Sequence, residues 1–337
     1  MTNREPAGDG SSSNSNEELA MQAAARGSAL MGFVIVHPLD PEDGAITVSI
    51  RAMVTSSKGA RPGPEARGQF DTLMESVLPR DDVRSEPGAL GGVQGVWVHP
   101  MNWRLDEAII HLHGGWFNFG SSKAYRHLVG HIAARAGARA FIPDYRLAPE
   151  HPFPAATDDV LACYRALAGS GVRRIALTGD SAGGNLALGL ASLVSGDDAA
   201  LVGIAVLSPI TDLTLTGATF ETRADADPFF TRRQIAELVL SYLGSIDAKN
   251  PLASPLHGRL SGLPPVRIYV GDDEVLLDDS LRYAERAVKA SVDAEVGVWM
   301  GMPHGFPANI GNLKAAAQAL DAMGAFLTER LQARASP

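Results

Sequence analysis

The sequence predicts an α/β fold in which helices cover both faces of a mainly parallel central sheet. From about Val93 onward, short apolar runs typical of strands alternate with longer stretches whose apolar positions recur at helical spacing. This alternation favours parallel strands joined by crossover helices. The chain has 337 residues, 45% of them hydrophobic and 20% charged, which is enough apolar material for a large core.

The predicted elements follow one another without an internal repeat. The predicted strands are Val96–Val98, Ala108–Leu112, Ala138–Ile142, Arg174–Leu177, Val202–Leu207, Val266–Val270 and Glu295–Trp299. The predicted helices are Lys123–Arg135, Ala156–Leu167, Asn185–Val194, Asp278–Ala290 and Leu313–Leu331. Residues 211–250 break the alternation with a polar loop and the helical pattern Arg232–Leu243, and we expect them to form a cap together with about residues 46–80.

The first 45 residues are predicted to be a flexible or poorly placed segment before a domain that spans 46–337. Met1–Glu18 is rich in Ser, Asn, Gly and Pro and has no apolar period. Ala20–Val36 is more apolar, but polar residues interrupt it and no signal-peptide cleavage site follows. We therefore expect this second stretch to be a helix or strand laid over the domain.

Charge and cysteine content argue against several classes of partner. Lys and Arg number 29 against 38 Asp and Glu, and a net charge of −9 offers no general attraction to nucleic acid or anionic lipid. The single cysteine, Cys163, has no partner for an internal disulfide, and no Cys/His zinc spacing occurs. We expect a cytoplasmic, metal-free protein that binds neither nucleic acid nor membrane, with Cys163 as a small buried hydrophobic residue.

A strand-to-helix turn predicts a nucleophilic serine. Gly-Asp-Ser-Ala-Gly at residues 179–183 directly follows one predicted strand and precedes a predicted helix, which is the context of a nucleophile elbow. The two glycines remove side chains that would collide in such a tight turn, so Ser181 is expected to stand clear of the backbone. The alternative is a glycine-rich turn that carries an idle serine.

A glycine pair predicts the donors that a nucleophilic serine needs. The strand Ala108–Leu112 runs into His-Gly-Gly-Trp at residues 113–116, in a loop expected to pass the elbow. The amides of Gly114 and Gly115, with that of Ala182 at the helix start, are predicted to stabilise an oxyanion. His113 is expected to orient this loop. Trp116 and Phe117 either line an acyl pocket or pack beneath the cap.

A serine hydroxyl also needs a base, and His304 is the best-placed histidine. It lies in a turn-rich loop after the last predicted strand, and the order serine, acid, histidine is that of α/β hydrolases. The acid is expected after the strand Val266–Val270, where spacing alone leaves five carboxylates as alternatives. They are Asp272, Asp273, Glu274, Asp278 and Asp279.

From about Phe70 to the carboxyl terminus, the sequence resembles the bacterial hormone-sensitive-lipase-like esterases of the α/β-hydrolase fold. The resemblance rests on the two glycine motifs and on Asp144–Ala155, which is similar to the family's signature after the fourth strand. It implies a helical cap, no cofactor, hydrolysis of short-to-medium carboxylic esters, and homodimers through the last strand or helix. It also implies a structural role for residues 144–155.

The resemblance bears on the acid as well. The family usually has an Asp followed by Pro-Leu-x-Asp, and matching residues 275–278 to the last four positions implies Glu274 as the acid, with Asp273 as the alternative. A glutamate can take this role, since the acid only orients the imidazole and stabilises its cation. The sequence thus predicts a serine carboxylesterase with Ser181, His304 and Glu274. A non-catalytic binder on the same fold and a lactone hydrolase are the alternatives; the presence of His304 argues against the binder.

Overall fold

One nine-stranded sheet organises the described part of the chain, for which a computed structural model gives residues 32–60, 63–195 and 200–333. The strands are β1 (Val34–His37), β2 (Val83–Leu90), β3 (Val93–Pro100), β4 (Glu107–Leu112), β5 (Arg139–Pro143), β6 (Arg174–Asp180), β7 (Leu201–Leu207), β8 (Val266–Gly271) and β9 (Ala294–Trp299). Their order is β1-β9-β8-β7-β6-β4-β5-β3-β2. Only β3 pairs antiparallel with its neighbours β2 and β5, and the other pairings between these strands are parallel.

Helices cover both faces of this sheet. They are α1 (Pro41–Val54), α2 (Arg67–Glu75), α3 (Ser122–Ala136), α4 (Ala155–Gly169), α5 (Ala182–Val194), the short α6 (Thr219–Thr222), α7 (Arg232–Leu243), α8 (Leu277–Lys289) and α9 (Lys314–Gln332). In β4, Ile110 packs into a core with α4, α5 and α8, whereas its neighbour Ile109 packs into a second core with α3 and α9. Successive strand residues face opposite sides, so an apolar strand serves both cores.

The predicted fold class is confirmed. Each of the seven predicted strands corresponds to one of β3–β9, and the predicted helices correspond to α3, α4, α5, α7, α8 and α9. The sequence does not predict β2, α1 and α2. Residues 34–37 belong to the sheet as β1, and they overlap the end of Ala20–Val36, which is expected to be a helix or strand laid over the domain. The predicted tail Met1–Glu18 and the first part of Ala20–Val36 lie outside the described residues.

The added strand β1 changes one edge of the sheet. It pairs in parallel with β9, from Val34 opposite Val296 to His37 opposite Trp299. Since β9 also pairs with β8, two copies could join through the last strand only if β1 were displaced. The homodimer therefore stays a prediction. None of the helices in the described ranges has the length and apolar character that a membrane span requires.

Candidate active site

Four loops converge at one edge of the sheet. The strands β6, β7, β8 and β9 are adjacent and parallel, so the residues that follow them lie at the same edge. The side chains brought to this edge are Ser181 after β6, Ser208 after β7, Glu274 after β8 and His304 after β9. The sheet thus assembles all three predicted triad residues from separate parts of the chain.

The turn around Ser181 is as tight as the sequence predicted. Ser181 has a φ of +54°, a strained value for a residue with a side chain. A Cβ on Gly183 would lie 1.8 Å from the carbonyl oxygen of Leu112, and one on Gly179 would lie 2.5 Å from that of Gly183. Both positions therefore need glycine, because Gly183 packs directly against the end of β4 and Gly179 packs against the backbone of Gly183.

The Ser181 hydroxyl is enclosed. The residue is 3% exposed, and its Oγ has no hydrogen-bond partner among the residues that the structure describes. The hydroxyl is therefore not hydrogen-bonded to His304 in this conformation. Such bonds are often long or misaligned in enzymes without substrate and tighten when substrate binds.

His304 and Glu274 form a direct pair. The distance from His304 Nδ1 to Glu274 Oε2 is 2.7 Å, and the Glu274 side chain is fully buried. The other carboxylate oxygen, Oε1, accepts hydrogen bonds from the Ser208 hydroxyl and the Gly271 amide, both at 2.7 Å. These donors fix the carboxylate, and with Nδ1 as the donor to Glu274, Nε2 is left as the proton acceptor of the ring.

Asp273 faces a different partner. Its carboxylate is paired with the guanidinium of Arg51 from α1. Among the predicted carboxylates, the structure therefore brings Glu274 and not Asp273 to the imidazole. The remaining three accept backbone N–H groups: Asp272 from Gly301, Asp278 from Ala218, and Asp279 from Thr211 and Asp212.

The charges around His304 favour its protonated form. Burial alone lowers the pKa of His304, but the charge and hydrogen bond of Glu274, followed by the charges of Asp227 and Asp180, more than offset it. The net result is a pKa above the ordinary value of 6.5. Asp227 is itself fully buried and accepts the amides of Phe230 and Val275. The site thus stabilises an imidazolium, the state that a general base reaches during the reaction.

The glycine loop departs from the prediction at Gly114. Its amide donates to Asp180 Oδ1 at 2.9 Å, so it is not available for a substrate oxygen while this bond is made. By contrast, the hydrogen bonds between described residues include none donated by the amides of Gly115, Trp116 or Ala182. Gly115 and Trp116 both have positive φ, at +116° and +54°. Two of the three predicted donors, Gly115 and Ala182, therefore remain available.

The two aromatic residues that follow the glycines have different neighbours. Phe117 is 1% exposed and stacks on Tyr242 of α7, with ring centroids 3.8 Å apart, so it packs against the inserted residues 211–250. Trp116 meets the edge of Phe230 at 5.0 Å, and Phe230 in turn meets the ring of His304 at 5.1 Å. Trp116 and Phe230 thus form an apolar wall that ends at the imidazole.

A small cavity lies between the end of the glycine loop and α7. Its volume is about 190 Å³, and it is lined by Asn118 and Phe119 of the glycine loop and by Leu238 and Ser241 of α7, among others. Ser181 and His304 do not line it. In the described ranges, no group of three or more His, Cys, Asp or Glu side chains is arranged to hold a metal ion.

His113 and Cys163 have the environments that the sequence predicted. His113 is buried, which lowers its pKa, and its Nδ1 lies 2.9 Å from the carbonyl oxygen of Gly114. The neutral ring therefore holds the loop by donating to that carbonyl. Burial raises the pKa of the Cys163 thiol to about 12, and its Sγ contacts the Leu90 carbonyl oxygen at 3.3 Å. A thiol in this state is a poor nucleophile.

Four residues at the site were missed by the sequence analysis: Asp180, Ser208, Asp227 and Phe230. Ser208 immediately follows a correctly predicted strand, so its place at the sheet edge could have been inferred. Asp180 stands inside the elbow motif. Asp227 and Phe230 come from the inserted region, where no periodic pattern indicates which residues reach the site.

Known proteins resemble this chain over most of its length. A family model for the alpha/beta hydrolase fold matches residues 109–308. An acetyl-hydrolase from Streptomyces hygroscopicus is 36% identical over 71% of this chain and 80% of its own length. An esterase from Acinetobacter venetianus is 33% identical over 83% of this chain and 93% of its own length. The crystal structure of an esterase from the bacterial hormone-sensitive lipase family has a TM-score of 0.81 and 36% identity, covering 87% of this chain and 99% of that one.

The family match, together with the parallel sheet and its strand-to-helix elbow, defines an α/β-hydrolase. The two relatives and the crystal structure are each more than 30% identical to this chain over most of their own length, which assigns it to one family within that class. The chain is an esterase of the bacterial hormone-sensitive-lipase-like family, as the resemblance of its motifs implied.

Proposed function

We propose that this esterase hydrolyses short-to-medium acyl esters through a covalent acyl-enzyme on Ser181. The observation that carries the proposal is the 2.7 Å contact between His304 Nδ1 and the buried carboxylate of Glu274, at the sheet edge that also carries Ser181. A histidine held by a carboxylate, beside a serine in a nucleophile elbow, is the arrangement that activates a hydroxyl.

In the acylation step, Ser181 Oγ attacks the ester carbonyl carbon while His304 Nε2 takes the hydroxyl proton. Glu274 keeps the proton on Nδ1 and stabilises the imidazolium. The tetrahedral intermediate then collapses, and His304 returns its proton to the leaving alcohol oxygen. Water next attacks the acyl-enzyme with the same histidine as base, which releases the acid and restores the hydroxyl.

The oxyanion is proposed to accept hydrogen bonds from the amides of Gly115, Trp116 and Ala182. Gly115 and Ala182 keep the role expected from the sequence, and Trp116 replaces Gly114, whose amide is used by Asp180. Ala182 also opens α5, and the positive end of a helix favours negative charge nearby. Preset donors of this kind stabilise the tetrahedral anion more than the planar ester, and the loss of one typically costs about 10²–10³ in kcat.

Residues 46–80 and 211–250 are proposed to act as the cap that controls access. A preference for short acyl or alcohol groups is part of the proposal, because Ser181 is only 3% exposed and the ring of Phe230 packs against the imidazole of His304. The name of the Streptomyces relative, an acetyl-hydrolase, agrees with this preference. The cytoplasmic location expected from the single cysteine stays a prediction.

A series of p-nitrophenyl esters from acetate to dodecanoate tests the proposal. We expect the highest kcat/KM at acetate or butyrate and a fall beyond octanoate, with activity lost in Ser181→Ala and His304→Ala. Cys163→Ala is the matched control, because its buried thiol has no part in the reaction. If the folded protein turned over none of these esters, the binder on the same scaffold would be favoured.

A further inference from the structure

Asp180, the residue before Ser181 in the elbow motif, has a carboxylate with three close neighbours. Oδ1 accepts the Gly114 amide at 2.9 Å, and Oδ2 accepts the Tyr125 hydroxyl at 3.1 Å. His111 Nε2 lies 3.5 Å from Oδ1. Burial first, and then the charge of Asp180, raise the pKa of Tyr125 well above 10.0, so Tyr125 keeps its proton and remains a donor to this carboxylate.

The glycine loop is built to approach this carboxylate. A Cβ on Gly114 would lie 2.2 Å from Asp180 Oδ2 and 3.0 Å from the Tyr125 hydroxyl, so no larger residue fits without a shift. The absence of a side chain at position 114 is thus explained by contact with Asp180 and not by contact with substrate. A hydrogen bond to an ionised acceptor is also stronger than one between neutral groups.

Backbone hydrogen bonds also fix the other end of the glycine loop. The amides of Asn118 and Phe119 both donate to the Gly115 carbonyl oxygen, at 3.0 and 2.9 Å. A Cβ on Gly115 would lie 2.4 Å from the carbonyl oxygen of Phe119. With the Asp180 bond at its start and these bonds at its end, the peptide units of Gly115 and Trp116 are held between two fixed points.

We propose that Asp180 is a positioning residue, which anchors the glycine loop to the elbow through the Gly114 amide and so aims the Gly115 and Trp116 amides at the oxyanion. Asp180 does not touch the substrate. Because it immediately precedes Ser181, its carboxylate ties the oxyanion donors to the backbone that carries the nucleophile. The inference rests on the proposed function, since it assigns a role within that reaction.

The primary test compares kcat and KM for p-nitrophenyl acetate in Asp180→Ala and Asp180→Asn. We expect Asp180→Ala to lose about 100-fold in kcat with KM changed by less than about threefold, the signature of an interaction made mainly in the transition state. Asp180→Asn keeps an oxygen that can accept the Gly114 amide, and should stay within about tenfold of the wild type. Asp43→Ala is the matched control: Asp43 is also a carboxylate that accepts backbone amides, those of Lys314 and Ala315 at the start of α9, and its loss should change kcat by less than about threefold.

A double-mutant cycle isolates the contact. Gly114→Ala should lower kcat about 100-fold, because its methyl group pushes the loop off Asp180. In the Asp180→Ala background the loss should be less than about threefold, because the 2.2 Å clash with Asp180 is gone and only the 3.0 Å contact with the Tyr125 hydroxyl remains. Affinity for a phenylboronic acid, which forms a tetrahedral anion on serine, should fall in parallel with kcat/KM. In Asp180→Asn the acid limb of the pH profile should also move to lower pH, since the charge of Asp180 helps to raise the pKa of His304.

Thermal unfolding of each variant shows whether it is folded. A folded Asp180→Ala with kcat within threefold of the wild type would overturn the inference, and so would independent, multiplying effects in the cycle. If Asp180→Ala did not fold, Gly114→Ala would be the deciding variant. A folded Gly114→Ala with undiminished kcat would overturn the inference. Ser181→Ala distinguishes failure of the proposed function from failure of the Asp180 inference. An active Ser181→Ala would refute the proposed function itself. An inactive Ser181→Ala together with a fully active Asp180→Ala would refute only the role of Asp180.

Discussion

The sheet edge and the region over it are held together in different ways. At the edge, Ile109 and Leu177 are fully buried, and the triad residues follow strands whose register is set by backbone hydrogen bonds. In the covering region, Met53 of α1 is 71% exposed and Leu240 of α7 is 64% exposed. The proposed triad is therefore carried by a well-packed frame, and the proposed cap by more lightly packed elements.

Long cationic side chains tie the covering region down. Lys58, just after α1, donates to the carbonyl oxygens of Ala224 and Asp227, both at 2.6 Å. Arg67 of α2 donates to the Asn118 carbonyl oxygen at 2.8 Å, at the end of the glycine loop. Since these contacts fix where segments of the proposed cap lie and not how the proposed triad is built, changes at the edge should alter kcat, and changes in the covering region should alter KM.

The largest effect is expected at the acid. Glu274→Gln keeps the shape of the side chain but removes the charge that holds the imidazole, and we expect kcat to fall about 10³–10⁴-fold. Asp273→Asn alters a carboxylate paired with Arg51 and should cost less than about tenfold. Steady-state kinetics on p-nitrophenyl butyrate compares the two. A larger loss in Asp273→Asn would assign the acid to Asp273.

The pH profile tests the electrostatics of the edge. His304 must be neutral to accept a proton, and its pKa is raised, so kcat/KM should fall about tenfold per pH unit below a midpoint above 6.5. Measurement of kcat/KM between about pH 5 and 9 locates this midpoint. A profile that stayed flat down to pH 5 would contradict the role of His304 as base.

Ser208 tests how much the support of Glu274 contributes. Ser208→Ala removes a 2.7 Å hydrogen bond to the buried carboxylate, and kcat should fall about tenfold, the equivalent of about 1.4 kcal/mol. Ser254 is an equally buried serine that bonds only to backbone groups, the Ala248 carbonyl and the Leu213 amide. Ser254→Ala should lower the melting temperature while kcat stays within about twofold. Equal kcat losses in both variants would point to a general packing effect.

The smallest effect is expected in the covering region. Lys58→Met removes both donor bonds to the segment that carries Asp227, and we expect KM to rise about threefold to tenfold with kcat within about twofold. Lys289→Met is the matched control, because Lys289 pairs with Glu285 on the exposed face of α8. A drop in kcat of more than tenfold in Lys58→Met would show that the covering region helps to build the reaction centre, and the contrast between the two regions would fail.

The sheet edge could be predicted from the sequence better than the region that covers it. Apolar runs and flanking glycines specify the strands and the elbow locally, so Ser181 and His304 could be placed at the sheet edge by chain order. The hairpin of β2 and β3 was missed, although Gly91 and Gly92, with φ of +61° and +84°, form the two-residue turn that its sequence favours. The pairing of β1 with β9 could not be foreseen, because four residues with partly exposed side chains pair with a strand some 260 positions away.

Within the site, the sequence could not predict the contacts between residues that are far apart in the chain. The sequence predicts that the glycine pair supplies oxyanion donors, but which amides remain free depends on the position of the Asp180 carboxylate in space. The choice of Glu274 over Asp273 came from the family pattern and agrees with the observed contact. Asp273 pairs instead with Arg51, which lies more than two hundred positions away in the chain. Contacts between distant side chains leave no periodic signal.

Covalent trapping tests the central claim most directly. Wild-type protein treated with a fluorophosphonate should gain one adduct per chain by intact mass spectrometry, mapped by peptide sequencing to Ser181, and labelling should slow sharply in His304→Ala. Modification at any other residue, or undiminished labelling of Ser181→Ala, would contradict the assignment of the nucleophile.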